Sequence, residues 1–521
     1  LGNQFMRKIF LLSCLLPVLA PAQSIDQSLD QIGAKAFRAV TTNLDGTGIR
    51  VAQPEANTGG SFPAFEASPA VVQQPTNLFT YYSDLGTATG FTNLIGAESG
   101  HADGVAGFFY GRPGGVATNV AHVDNYDADF FITNYIFNLA PAPPAMVVNQ
   151  SFTFGALSVT DQQSVDSAYD DYEETFGTLF VSSACDSSIY PLVCAPGTAY
   201  NCICVASYGG NSSIGPTIDN GRCKPDITAP QTGTSFSTPE VSGAAAVLMQ
   251  AALRGDGGAD TNSAVDNRTL KALLLNGAVK PPDWTNGPAT PLDARYGAGM
   301  MNLLNSYEQL TAGEYVFCAT NLIPPGAAHP PSATTNTIAS PRGWDLEYIT
   351  STATNDAVNE YFFNASNGIF TATLVWNRQL GETNINDLNL FLFDANSNLV
   401  LCSTSAVDNV QHIYVPQLAA GRYDLQVLKK GGTNVVSNDE VYALAYEFIS
   451  PQLSITNRGT NASLSWPLYP AGFLVEAETN LLSASWSTNN LPAAFITNSV
   501  YCLPLEATNP AQFFHLRRPN F

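Results

Sequence analysis

Histidine is scarce in this chain: five in 521 residues, at positions 101, 122, 329, 412 and 515. Chemistry that needs an imidazole therefore has few places to occur. Charge is also scarce, at 12% of residues, and one-sided, with 43 acids against 21 bases and a formal net charge of −22. A surface of that sign repels phosphate backbones and anionic lipid, so nucleic acid and membrane surfaces are excluded as partners. Beyond the N-terminus no apolar run approaches the roughly 20 residues that a spanning helix needs. No Cys-x-x-Cys pair occurs and no histidine lies near the cysteines, which removes the usual zinc pattern. Apolar residues are plentiful at 45%, enough to build cores rather than stay disordered. A chain of this length is expected to form about two to four domains.

From Met6 the sequence reads MRKIFLLSCLLPVLAPAQS. Arg7 and Lys8 precede an apolar run from Ile9 to Ala20, and Ala20-Pro-Ala22 supplies a small-residue exit. This predicts a secretory signal peptide over residues 1–22, cleaved near Ala22, and an extracellular or periplasmic destination. The run continues past Cys14, which argues against a lipoprotein signal. Cys185, Cys194, Cys202, Cys204 and Cys223 crowd together downstream, and in an exported protein one or two disulfides are expected there, with pairing unreadable.

Residues 30–312 alternate short apolar runs with helical stretches, the pattern of an α/β fold. Strands are predicted at Gly48–Ala52, Met146–Ser151, Gly177–Ser183 and Ile203–Ala206. Helices are predicted to start near His101 and Ser235 and to cover Leu270–Asn276. Residues 321–342 are rich in Pro, Ser, Thr and Ala and read as a linker. Beyond it, runs such as FTATLVWNR, LNLFLFDAN and GRYDLQVLK predict an all-β sandwich or jelly roll over 343–450. A smaller β-module follows over 453–521.

The most specific stretch is KPDITAP followed by QTGTSFSTPEVSGAAAVLMQ. It places Ser235 just before a long small-residue helix, whose positive end favours a nucleophile that develops negative charge. A buried Gly/Ala helix that merely begins after a serine is the bland alternative. The run, with Lys224-Pro225-Asp226 and Ala229-Pro230, resembles the serine signature of the subtilases, the subtilisin-like serine peptidases. That resemblance implies a mostly parallel sheet flanked by helices and a Ser-His-acid triad. His101, in GHADGVAGFFYG, is similar to the family's histidine motif, whereas His122 lacks that context and reads as structural. The run GTGIRVAQPEAN matches the strand that ends on the family's aspartate, and places Glu55 there. A glutamate can orient the imidazole, as in Ser-His-Glu hydrolases.

The family's oxyanion asparagine is replaced: GTLFVSSACDSS puts Asp186 at that position and Cys185 on the preceding glycine. An ionised carboxylate would oppose a forming oxyanion, whereas a protonated one would donate to it. The resemblance places Asn149, Ser151 and Ser183 along the substrate cleft.

Residues 344–448 resemble the jelly-roll domain that follows the catalytic domain in convertase-like subtilases, and the last stretch resembles a fibronectin-type-III module. No cofactor is certain from the sequence. Structural calcium at Asp387 and Asp394 is the one metal option, against the commoner role of such carboxylates as turn caps. Cell-surface or glycan contact through the β-modules is the option for Trp466 and Trp486, against a core role. The expected function is a secreted endopeptidase acting on protein or peptide substrates. The rival is a catalytically silent subtilase fold serving as a binding or scaffold protein, favoured by the two replacements at Glu55 and Asp186.

Overall fold

A computed structural model describes residues 24–59, 62–327, 335–450, 452–458, 461–467, 473–482, 485–488, 491–497, 500–506 and 512–517. The expected signal peptide and His329 lie outside the described residues. The N-terminal half is organised on an eight-stranded sheet: β1 (Arg50–Glu55), β2 (Phe79–Ser83), β3 (Gly86–Ala88), β4 (His122–Asp127), β5 (Val147–Gln150), β6 (Leu179–Ser183), β7 (Ile203–Ser207) and β8 (Ile227–Ala229). Their spatial order is β8-β7-β6-β5-β1-β4-β2-β3, parallel throughout except for the β2–β3 hairpin. A parallel sheet covered on both faces reads as short apolar runs, which is how these strands announced themselves. In β1 every residue after Arg50 is buried, including Gln53 and Glu55. The chain builds outward from β1 in both directions, through β4 on one side and β5 on the other. Side chains at the carboxyl end of β1 therefore stand at the sheet's switch point, where open α/β sheets hold their ligands.

The longer helices are α1 (Ile25–Gln31), α2 (Ala34–Val40), α3 (Gly100–Phe109), α4 (Val159–Phe176), α5 (Thr234–Leu253), α6 (Asn267–Asn276) and α7 (Leu303–Thr311). Ser99 caps α3 through its side chain and Ser158 caps α4, each accepting from a backbone N–H that the first turn leaves orphaned. α5 is buried almost end to end, because Gly243 and Ala244–Ala246 leave room for close neighbours. A Cβ at Gly243 would lie 2.6 Å from Val116 Cβ, and one at Gly104 would lie 2.7 Å from Phe236 Cε1. These two glycines let α3 and α5 run side by side. Among the described residues, no helix is long and apolar enough to cross a membrane.

The C-terminal half is antiparallel. Strands β9 (Ala319–Ile323), β10 (Arg342–Thr350), β11 (Asp356–Ala365), β12 (Gly368–Trp376), β13 (Leu388–Asp394), β14 (Leu399–Ser403), β15 (Val410–Leu418), β16 (Gly421–Lys429) and β17 (Asp439–Ile449) form two sheets, β9-β11-β16-β13-β14 and β10-β17-β12-β15. Tyr361, Leu390 and Leu425 from one sheet meet Phe370, Leu374 and Leu444 from the other in a shared core. The head of the expected linker is thus strand rather than linker: Asn321–Ile323 pair with β11, and the chain leaves the sheet only at Pro324-Pro325. The sandwich meets the α/β domain through a shared apolar cluster, in which Trp344, Val375 and Ala445 join the core around Leu273 and Leu310, and through polar contacts. Arg378 pairs with Asp170 at 2.7 Å, and Asn276 Oδ1 accepts from the Thr371 and Thr373 hydroxyls. Short strands between Ser454 and Arg517 form a last pair of small antiparallel sheets, in which Trp466 is 5% exposed and stacks on Tyr501.

One expectation changes. Of the five crowded cysteines, Cys202, Cys204 and Cys223 are free thiols, so no disulfide forms among these three. The crowding reflects burial: Cys202 directly precedes β7 and Cys204 lies within it, both fully buried, and the Cys202 thiol donates to Ser182 Oγ. Asp387 and Asp394 both have protein partners. Asp387 pairs with Lys430 at 2.8 Å, while Asp394 accepts from the backbone N–H groups of Asn396 and Asn398 as a turn cap.

Candidate active site

Glu55 is the last residue of β1 and is fully buried. Burying a carboxylate is costly unless it is paired and hydrogen-bonded. Both of its oxygens are bonded: Oε2 lies 2.8 Å from His101 Nδ1, and Oε1 accepts from Gln53 Nε2 at 2.9 Å. His101 occupies the first turn of α3, and its side chain is 12% exposed. Burial pulls the imidazole down, but the charge and hydrogen bond of Glu55 outweigh it, so its pKa is raised above 6.5. Among the described residues, His101 Nε2 has no hydrogen-bond partner. The ring packs 5.9 Å from Phe236, the residue after Ser235, across the α3–α5 contact.

Ser235 is the second residue of α5 and is 1% exposed. Its hydroxyl donates to Ser151 O at 3.2 Å. Ser151 answers, its own hydroxyl donating to Ser235 O at 2.8 Å. That second bond has a cause in the sequence. Pro239 has no N–H, so the carbonyl four residues earlier loses its helical donor, and Ser151 supplies one. The sequence pattern suggests Pro239 in the first turn. Because α5 begins at Thr234, Pro239 instead falls inside the helix.

Asn149, Ser151 and Ser183, expected along the substrate cleft, are each 0% exposed and brace α5 instead. Asn149 donates to Ser151 Oγ and accepts from Ser242 Oγ on α5. Ser183 Oγ donates to Thr234 Oγ1. Asp186 is also turned to this helix end. Its Oδ1 accepts from Thr234 N at 2.9 Å and Thr234 Oγ1 at 2.8 Å. Burial pushes its carboxyl pKa up, the two Thr234 hydrogen bonds oppose this, and the net shift is upward. Cys185 beside it takes a positive φ of 82°, a backbone region that suits the glycine the family motif carries there.

His122 is remote from this constellation, at the opposite end of β4, where it contacts Thr80 Oγ1 at 3.0 Å. Sequence reasoning missed Gln53, Tyr110 and Phe236. The available signal was a glutamine inside an apolar strand, two residues before Glu55.

Residues 92–299 match the sequence profile of the Subtilase family. The chain carries a subtilisin-like serine-peptidase domain, with a parallel central sheet followed by antiparallel β-sheets. The matched segment includes His101, Asp186 and Ser235, while Glu55 precedes it. Similar solved structures include the prenylagaramide maturation protease PagA, at 19% identity over 54% of this chain and 99% of that one, with a TM-score of 0.36. A cold-adapted subtilisin-like serine proteinase is 19% identical over 50% of this chain and 89% of its own, with a TM-score of 0.31. Fervidolysin from Fervidobacterium pennivorans, a keratinolytic enzyme related to subtilisin, is 13% identical over 84% of this chain and 73% of its own, with a TM-score of 0.36.

Proposed function

We propose that the chain is a secreted serine endopeptidase that cleaves peptide bonds through an acyl-enzyme formed on a Ser235–His101–Glu55 triad. The observation that carries this reading is the 2.8 Å contact between Glu55 and His101 Nδ1, which leaves Nε2 as the ring's free nitrogen beside the helix that bears Ser235. In that arrangement Glu55 fixes the tautomer with the proton on Nδ1. Nε2 takes the Ser235 proton as Oγ attacks the scissile carbonyl, then delivers it to the leaving amine. The imidazolium formed in between is stabilised by the buried carboxylate. For attack, the Ser235 hydroxyl rotates from Ser151 O toward Nε2; such bonds commonly tighten only when substrate is bound.

Asp186 borders the oxyanion site in this reading. Its Oδ1 is committed to accepting from Thr234, so a proton on the acid would reside on Oδ2. Secretion is supported by the charge, apolar run and small-residue exit of residues 1–22. The C-terminal sheets are read as a convertase-type jelly roll over 343–450 and a fibronectin-type-III-like module over 453–521. A silent binding protein is the second reading, favoured by the serine's bond to Ser151 O and by the carboxylate at position 186. The test is hydrolysis of an unfolded protein such as casein by the purified chain. Activity that disappears in Ser235→Ala supports the endopeptidase; no activity in wild type, or equal activity in both, rejects it.

A further inference from the structure

Gln53 is a polar residue in the middle of a strand buried on both faces. It lies two positions before Glu55 on β1, so the strand's period of two puts both side chains on one face. It is 0% exposed. A primary amide in that setting costs free energy unless each of its groups finds a partner, and each does. Nε2 donates to Glu55 Oε1 at 2.9 Å and to Ala102 O at 3.0 Å, while Oε1 accepts from Tyr110 OH at 2.5 Å. The Gln53 carbonyl accepts from Asn125 Nδ2 at 2.9 Å, which holds the backbone beneath it. The amide has one workable orientation. Turned over, its oxygen would face a carboxylate and a carbonyl, both acceptors. Tyr110 is fully buried, and burial holds its phenol well above the usual value, so it remains a proton donor.

We propose that Gln53, oriented by Tyr110, is the positioning residue that allows a glutamate to serve as the triad's acid; this rests on the Ser235–His101–Glu55 reading above. Glutamate carries one more side-chain torsion than aspartate. Left unpinned, its carboxylate would spread over several rotamers, and a misplacement of about 1 Å at a catalytic group can cost on the order of 10²-fold in rate. Gln53 removes that freedom by holding Oε1 while His101 holds Oε2. Its second N–H bonds the carbonyl of Ala102, the residue after His101. One amide thus ties the carboxylate to the first turn of the histidine's helix, and acid and base move as a unit. Tyr110 closes the same helix, so both ends of α3 contribute to the bracket.

The test uses the full chain. Gln53→Met keeps length and volume while removing every hydrogen-bonding group. The expected result is a fall in kcat of about 10- to 100-fold with KM within about three-fold of wild type. The downfield proton resonance of His101 Nδ1–H, which reports the bond to Glu55 without any turnover, should broaden or move upfield. Tyr110→Phe should change both readouts in the same direction but less, and it carries the test if Gln53→Met does not fold. Gln53→Glu places a second carboxylate beside Glu55 and should raise the pH midpoint of the acid limb of kcat/KM. A folded Gln53→Met or Tyr110→Phe with wild-type kcat and an unmoved resonance overturns the proposal. So does a lowered Tm with kcat unchanged, which would mark a purely structural role. If wild type hydrolyses no peptide, the endopeptidase reading fails by itself, and the resonance still decides whether Gln53 holds Glu55 against His101.

Discussion

His101 in the α/β domain is largely shielded and His412 in the β-sandwich is buried, and their surroundings drive them in opposite directions. His101 faces Glu55, which raises its pKa despite burial. His412 is 1% exposed on β15; burial and the nearby Lys280 ammonium push its pKa well below 6.5. Its Nδ1 lies 2.8 Å from Thr373 Oγ1, and the Trp284 ring packs edge-on at 5.9 Å. One imidazole is held ready to become cationic and the other is held neutral. The first kind of site stabilises the charge that a proton shuttle must carry. The second only fills a core.

The sharpest way to break that contrast is to remove the carboxylate. Glu55→Gln should cost about 10³- to 10⁴-fold in kcat, the scale on which loss of a triad's acid acts in serine peptidases. It should also bring the His101 titration down toward that of His412, measured by NMR. Unchanged turnover would remove Glu55 from the triad while leaving Ser235 and His101 in place.

Asp186 sharpens the comparison on the α/β side. Replacement by Asn keeps an acceptor for Thr234 and adds a donor for the oxyanion, a group whose presence is worth about 10²–10³ in turnover elsewhere. Turnover in Asp186→Asn is therefore expected to rise by about ten-fold or more at alkaline pH, where the native acid is ionised. A fall would mean that the native carboxyl acts protonated.

The two histidines also predict opposite pH dependences. As the general base, His101 must be neutral, so kcat/KM should rise with pH along a limb displaced above 6.5. In stability, the His101–Glu55 bond contributes fully below pH 6.5 and fades as pH rises through the raised folded value. His412 has a depressed pKa and does the reverse: below pH 6.5 the unfolded chain takes a proton that the folded chain refuses. That costs about 1.4 kcal/mol per pH unit until the folded value is reached. His412→Gln should flatten this acid loss, read from denaturant melts at about pH 5 and 7; an unchanged slope would mean His412 does not cause it.

Much of the site was legible because its chemistry is written in contiguous motifs. Ser235 lies in the first turn of a helix with a distinctive small-residue run, His101 lies in the first turn of another, and Glu55 ends an apolar strand. The brace was not legible, because it joins residues distant in sequence. Gln53 and Tyr110 meet only through the β1–α3 packing, and the Ser151–Ser235 exchange depends on where α5 starts relative to Pro239. The spacing of Cys202, Cys204 and Cys223 misled for a related reason. Crowding in sequence marked a buried strand and its neighbouring turns, where thiols serve as small apolar groups. The linker expectation began at Asn321, inside a strand, because pairing with β11 is set by backbone partners that composition does not report.

The central claim is that Ser235 is an activated nucleophile. Its most direct test is labelling of the purified chain with a fluorophosphonate, read by intact mass and peptide mapping. The account predicts one adduct, on Ser235, absent from Ser235→Ala and strongly slowed in His101→Ala. Wild type that labels no faster than Ser235→Ala would contradict it.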